Sequence, residues 1–182
     1  MSDSLEMAQQ TQLPEVSHHI TSFNPSGEDT FLEAPNPPLV QQRNESMRVD
    51  YIYSTVSSAT GPVLTDLADY NNNQAVRRTH PHVMFSLAGG SATVIATFAP
   101  NPNNEEGFMH RTNSLDYVFI IDGQLELSLN SGEKKVMKRG DVAIQRACEH
   151  AWKNLSKTEI ARFGAVTLGI EGAKLNEMIF PG

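Results

Sequence analysis

From about Thr93 to Gly169 the chain alternates between apolar and polar positions with a period of two. In QLELSLN, Leu125, Leu127 and Leu129 fall between Gln124, Glu126 and Ser128, the signature of a strand with one buried and one wet face. Strand-like runs recur as ATVIATFAP, LDYVFIIDG, KKVMKRGDVAIQ and EIARFGAVTLG, with Gly, Asn and Pro between them. No helical period of comparable clarity competes. Short strands at regular spacing predict an all-β, antiparallel sandwich or barrel. Upstream, MRVDYIYSTVSS reads as a further strand through its β-branched and aromatic content, and GPVLTDLADYNNN starts a segment that ends in a turn.

Residues 1–39 differ in character. They are polar and proline-studded, with isolated apolar residues and no sustained period, which predicts an irregular N-terminal arm ahead of one domain over 40–182. Phe23, Phe31 and Leu32 could plug a groove on that domain or on a second subunit, so a homodimer is an open arrangement. A length of 182 residues fits one domain with a sizeable core, and 39% hydrophobic with 19% charged residues is ordinary for a globular protein. The net charge of -7, with scattered Lys and Arg, argues against nucleic acid as a partner. There is no apolar span of membrane length, and residues 1–10 lack the basic start and apolar centre of a signal peptide, so the expectation is a cytoplasmic protein. The single cysteine, Cys148, forms no internal disulfide.

The chemistry concentrates in two stretches. In MHRTNSLDYVFIIDG, His110, Thr112, Ser114 and Asp116 share parity with Val118 and Ile120, so an unbroken strand would turn them to one side. GDVAIQRACEHAWKN brings His150 after another strand and a loop. Two imidazoles and a carboxylate on facing strands are the ligand set of a facial triad, which leaves coordination positions open for substrate, water or dioxygen. His110, Asp116 and His150 are therefore the candidate catalytic and metal-ligating residues. The metal would be a divalent transition ion: iron, manganese, zinc, nickel or copper. The plainer alternative makes both histidines hydrogen-bonded strand-end residues and Asp116 a turn or salt-bridge residue.

Three further residues are candidates for substrate contact. Thr112 could hydrogen-bond a bound water or substrate. Arg146 suits a substrate carboxylate or phenolate, and the sole tryptophan, Trp152, could flank an aromatic ring. Cys148 lacks a clear Cys-His-Asn arrangement and reads as a structural thiol. His80 and His82 flank Pro81 in what reads as a bent loop, and His18 and His19 lie in the arm.

On these residues the second half resembles a cupin, which implies a jelly-roll barrel. The first cupin motif runs Gly, five residues, His-x-His, three or four residues, Glu, six residues, Gly. Here His110 matches the first histidine, Thr112 replaces the second, Asp116 replaces the glutamate and Gly123 closes the motif. Gly140, His150 and Asn154 meet the second motif, with Arg146 and Cys148 near its usual proline and glycine. The elements HRTNSLDY and HAWKN resemble a monocupin subgroup that includes fungal cupin-domain oxidoreductases of polyketide, salicylaldehyde-type pathways. That resemblance implies an oxidoreductase acting on a small polyketide-derived or aromatic compound in secondary metabolism. The same residues could instead move protons in a dehydratase, isomerase or decarboxylase, or bind a ligand without turnover.

Overall fold

The computed structural model describes residues 15–34, 41–43, 46–55, 71 and 89–170. The described chain forms antiparallel sheets. A hairpin of β1 (Ile20–Phe23) and β2 (Asp29–Leu32) precedes β3 (Gln41–Arg43) and β4 (Met47–Thr55). The barrel continues through β5 (Ser91–Phe98), β6 (His110–Arg111), β7 (Ser114–Asp122), β8 (Gln124–Leu129) and β9 (Lys134–Lys138). β10 (Val142–Arg146), β11 (Glu149–Asn154) and β12 (Ala161–Gly169) complete it. A six-stranded sheet in the order β10, β7, β12, β5, β4, β3 packs against a four-stranded sheet in the order β6, β11, β8, β9.

Period-two alternation builds the interior as the sequence predicts. Ser114, Asp116, Val118 and Ile120 of β7 are buried, while Phe119 and Ile121 on its other face are exposed. The same rule buries Ala92, Val94, Ala96 and Phe98 on β5. Val94, Val118 and Ala165 meet Leu125 and Trp152 of the other sheet in one core. Trp152 packs on Phe163, ring centroids 5.3 Å apart and planes inclined by 50°. The arm is not wholly irregular, because Asn24 organises its turn: Asn24 Oδ1 accepts from Ser26 N and Glu28 N at 3.0 and 2.9 Å, closing the β1–β2 hairpin. The segment GPVLTDLADYNNN, apart from residue 71, and both His80 and His82 lie outside the described residues. Among the described residues no helix is long and apolar enough to cross a membrane.

Two polar side chains fix the loops beneath the site. Asn154, 3% exposed, donates through Nδ2 to the carbonyls of Ala99 (2.9 Å) and Glu159 (2.8 Å), and its Oδ1 accepts from Ser156 N. This gives the asparagine that ends the second motif a structural task. Asn101 likewise donates to the Glu105 and Asn154 carbonyls and accepts from Glu105 N, shaping NPNNEEG into a turn. That turn brings Gly107 against β11 so closely that a Cβ there would overlap the Trp152 carbonyl oxygen. Gly107→Ala should therefore destabilise the protein by about 2 kcal/mol, the cost of forcing backbone apart in a packed region. Gly132→Ala, at φ 87° but in open space, should cost only about 1 kcal/mol. Chemical denaturation of both variants checks the order, and equal losses would contradict it.

Candidate active site

His110 and His150 are Cα partners across the β6–β11 ladder. Their rings face each other with centroids 4.4 Å apart. Each ring is held by a local bond: His110 Nδ1 donates to the Phe108 carbonyl at 3.0 Å, and His150 Nδ1 donates to the Cys148 carbonyl at 3.1 Å. A carbonyl only accepts, so both Nδ1 atoms carry hydrogen and both Nε2 atoms present lone pairs. Phe108 stacks on the outer side of His110, ring planes 12° apart.

Asp116 comes from the other sheet. The strand through the first stretch is not unbroken: after β6 the chain leaves the four-stranded sheet at Thr112 and Asn113 and enters the six-stranded sheet as β7. Asp116 still faces inward, because Ser114, Val118 and Ile120 bury the same side. Its oxygens are occupied, Oδ2 accepting from Thr112 Oγ1 at 3.0 Å and Oδ1 from Ser114 Oγ at 2.5 Å. Asp116 pairs with Gln145 of β10 and Thr167 of β12. Gln145, Asp116, Ser114 and Thr167 are all buried, a polar lining above the apolar row of Ala143, Val118 and Ala165.

The candidates from sequence separate accordingly. The structure brings His110 and His150 together, with Thr112 bound to Asp116 and Trp152 two residues deeper on β11. Arg146 is not brought to this cluster: β10 alternates exposed and buried, so Arg146 faces outward while Gln145 faces in. Arg146 is one residue out of phase with the interior, a consequence of strand parity. Sequence reasoning missed Gln145, Thr167 and the role of Ser114. The parity of Gln145 with Ala143 was the signal available for the first.

The expected three-ligand set is not gathered. Among the described residues no group of three or more His, Cys, Asp or Glu side chains is placed to hold a metal ion. The two imidazoles present donor nitrogens suited to a transition metal, but the carboxylate is tied to two hydroxyls. The described residues therefore do not fit a metal held by His110, Asp116 and His150 together.

Burial sets the protonation of the cluster. It pushes His150 down from 6.5 to about 4, reinforced by the neighbouring His110 and opposed by the Cys148 carbonyl. Burial also lowers His110, against its bond to Phe108, and raises Asp116, against the Ser114 and Thr112 hydroxyls. At neutral pH both imidazoles are uncharged. Because the folded value of His150 lies below its unfolded value, its contribution to stability is complete above pH 6.5 and is lost as pH falls towards 4. That loss is on the order of 3 kcal/mol. Asp116 acts with the opposite sign, its contribution falling as pH rises through its elevated value. Unfolding by denaturant at pH 7 and at pH 4.5 should show a smaller acid loss in His150→Gln than in the wild type. Equal losses would remove His150 as the buried neutral group.

No family model matches the chain. Oryzines biosynthesis cluster protein J of Aspergillus oryzae is 34% identical over 172 residues, covering 91% of this chain and 92% of that protein. The cupin-domain-containing oxidoreductase srdD of Neurospora crassa is 34% identical over 149 residues, covering 79% of this chain and 69% of that protein. Among solved structures, the cupin domain of Schizosaccharomyces pombe Cnp3 aligns with a TM-score of 0.47 at 12% identity, over 87% of this chain and 89% of that one. With its jelly-roll sheets and its relatives over most of its length, the chain belongs to the cupin family that includes these fungal cupin-domain-containing oxidoreductases and biosynthesis-cluster proteins.

Proposed function

We propose that the protein is an oxidoreductase that acts on a small, partly apolar polyketide-derived or aromatic intermediate of secondary metabolism, bound between the two sheets at the polar end of the barrel. The observation that carries this reading is the pair of neutral imidazoles, buried His150 and half-buried His110, whose Nε2 atoms are left as bases by the carbonyls that hold Nδ1. The names of the relatives, oxidoreductases and proteins of biosynthesis clusters, support the reaction class and the metabolic setting.

In this mechanism the protein's share is the proton. A substrate hydroxyl donates to an Nε2, and the imidazole, poorly stabilised as a cation at this depth, returns the proton readily. Asp116, raised by burial and held by Ser114 and Thr112, is a second exchange point on the facing sheet. The packed apolar row beneath keeps water from the floor of the site. An oxidation would also need an electron acceptor, which dioxygen or a diffusible redox cofactor would supply. One observation favours a second reading: two neutral imidazoles stand with ring centroids 4.4 Å apart, and the Asp116 carboxylate on the other sheet is held by two hydroxyls. Dehydration, isomerisation or decarboxylation would use the same residues without electron transfer.

His110→Ala and His150→Ala should each lower turnover of the pathway intermediate by about a hundredfold or more, the usual contribution of a positioned base. His80→Ala should be much milder. Mass spectrometry of a producing host would show the intermediate accumulating with either active-site variant. Full activity in both would remove the proposed site. Turnover that needs neither dioxygen nor any added redox cofactor, in protein free of stoichiometric iron or copper by elemental analysis, would move the assignment to the non-redox reading.

A further inference from the structure

Gln145 is a buried polar side chain that the proton chemistry does not use. It is 3% exposed, shares the inward face of β10 with Ala143, and its Cα faces that of Asp116 across the β10–β7 ladder. A buried carboxamide ordinarily satisfies two N–H groups and one carbonyl. The side chain of Gln145 makes one hydrogen bond, from Nε2 to Cys148 Sγ at 4.0 Å, long and to a weak acceptor. Among the described residues no donor reaches Oε1. Cys148 Sγ in turn lies 3.9 Å from His150 Nδ1, so the carboxamide reaches from the six-stranded sheet to the turn that leads into β11 and His150.

The neighbouring groups are acceptors. His110 and His150 present bare Nε2 atoms, and the Asp116 oxygens are already taken by two hydroxyls. Gln145 brings N–H groups to this ring of lone pairs. The described arginines nearby are directed elsewhere: Arg146 points outward, and Arg111 donates to the Ala147 carbonyl at 2.8 Å and lies 3.6 Å from Glu149. An anionic ligand here would be buried beside lone pairs with no opposing charge from these residues.

We propose that Gln145 is a substrate-binding residue, its carboxamide donating to the hydroxyl or carbonyl oxygen of a neutral, partly apolar ligand at the polar end of the barrel. This inference rests on the proposed function, since it assigns the substrate to the same polar end of the barrel. It also gives the substrate class: an uncharged alcohol or carbonyl compound on an apolar frame, in preference to its carboxylate.

Emission of Trp152, the sole tryptophan, can follow binding of benzaldehyde and benzyl alcohol, with toluene as a ring of like size that offers no oxygen. The wild type should favour each oxygenated probe over toluene by about tenfold, as one buried hydrogen bond left unmade would cost. Gln145→Leu should bind toluene as before and lose most of that preference. Should the leucine variant fold poorly, Gln145→Met, unbranched and of similar length, should show the same loss. An unchanged preference in the folded variant overturns the proposal, as does a wild type that does not distinguish benzaldehyde from toluene. His150→Ala separates the two readings. If it retains turnover while Gln145→Leu loses its preference, the proton mechanism fails and the binding role stands; the reverse pattern sinks the binding role alone.

Discussion

The site depends on the desolvation of two imidazoles by the sheets that carry them. A histidine in water titrates close to neutrality and changes partner freely. Here the β6–β11 ladder sets the rings 4.4 Å apart, and charging both would place like charges together where one ring is buried and the other half-buried. The backbone resolves this by giving each Nδ1 a carbonyl two residues earlier in the chain, Phe108 for His110 and Cys148 for His150. One tautomer follows for both rings, and with it the direction of both free lone pairs. The same depth that makes these nitrogens poor cations makes them effective transient proton carriers.

Asp116 reaches the site by a different route. The corner at Thr112 and Asn113 carries the chain from one sheet to the other within a few residues, so a motif contiguous in sequence is divided across the barrel. Thr112 occupies the corner, where a histidine stands in the usual cupin motif, and donates to the Asp116 carboxylate instead of offering a ring nitrogen. With Ser114 on the other oxygen, the carboxylate is stabilised by hydroxyls in a buried setting that would otherwise oppose its charge. The loss of one imidazole and the capture of the carboxylate are thus linked features of one short segment.

Much of this fold was legible because strand alternation is a property of neighbouring residues. Leu125 announced its buried position, although Leu127 and Leu129 of the same face are only half-buried and Ser128, expected on the wet face, is buried; the apolar side chains of ATVIATFAP predicted the interior of β5. The motif residues likewise predicted that His110 and His150 meet, since cupin spacing encodes their ladder. What escaped the sequence depends on phase between elements. Arg146 and Gln145 are adjacent, and only the pairing of β10 with β7 decides which enters the barrel. The orientation of Asp116 was expected from an unbroken strand and arises instead after a corner, so a correct side was reached by incomplete geometry. The hairpin in the arm escaped because two four-residue strands in polar sequence carry too little period to register, and Asn24 rather than burial holds their turn.

The turn between β10 and β11 shows how the site is kept in phase. Ala147 adopts φ 50°, a left-handed conformation that an L side chain resists, at a place where the cupin motif usually keeps proline and glycine nearby. Such strain persists only where the surroundings enforce it. Here Ala147 N donates to the Ser114 carbonyl at 3.0 Å, and the Ala147 carbonyl accepts from Arg111 Nη1 at 2.8 Å. The two bonds tie the turn to the start of β7 and to β6, the strands that hold Asp116 and His110. The reversal then lets Gln145, before the turn, and His150, after it, both face the interior, with Cys148 between their polar ends. A relaxed turn with one more residue would change the phase of β11 relative to β10 and separate them. The local cost at Ala147 is therefore the means by which four strands, β6, β7, β10 and β11, deliver their side chains to one space.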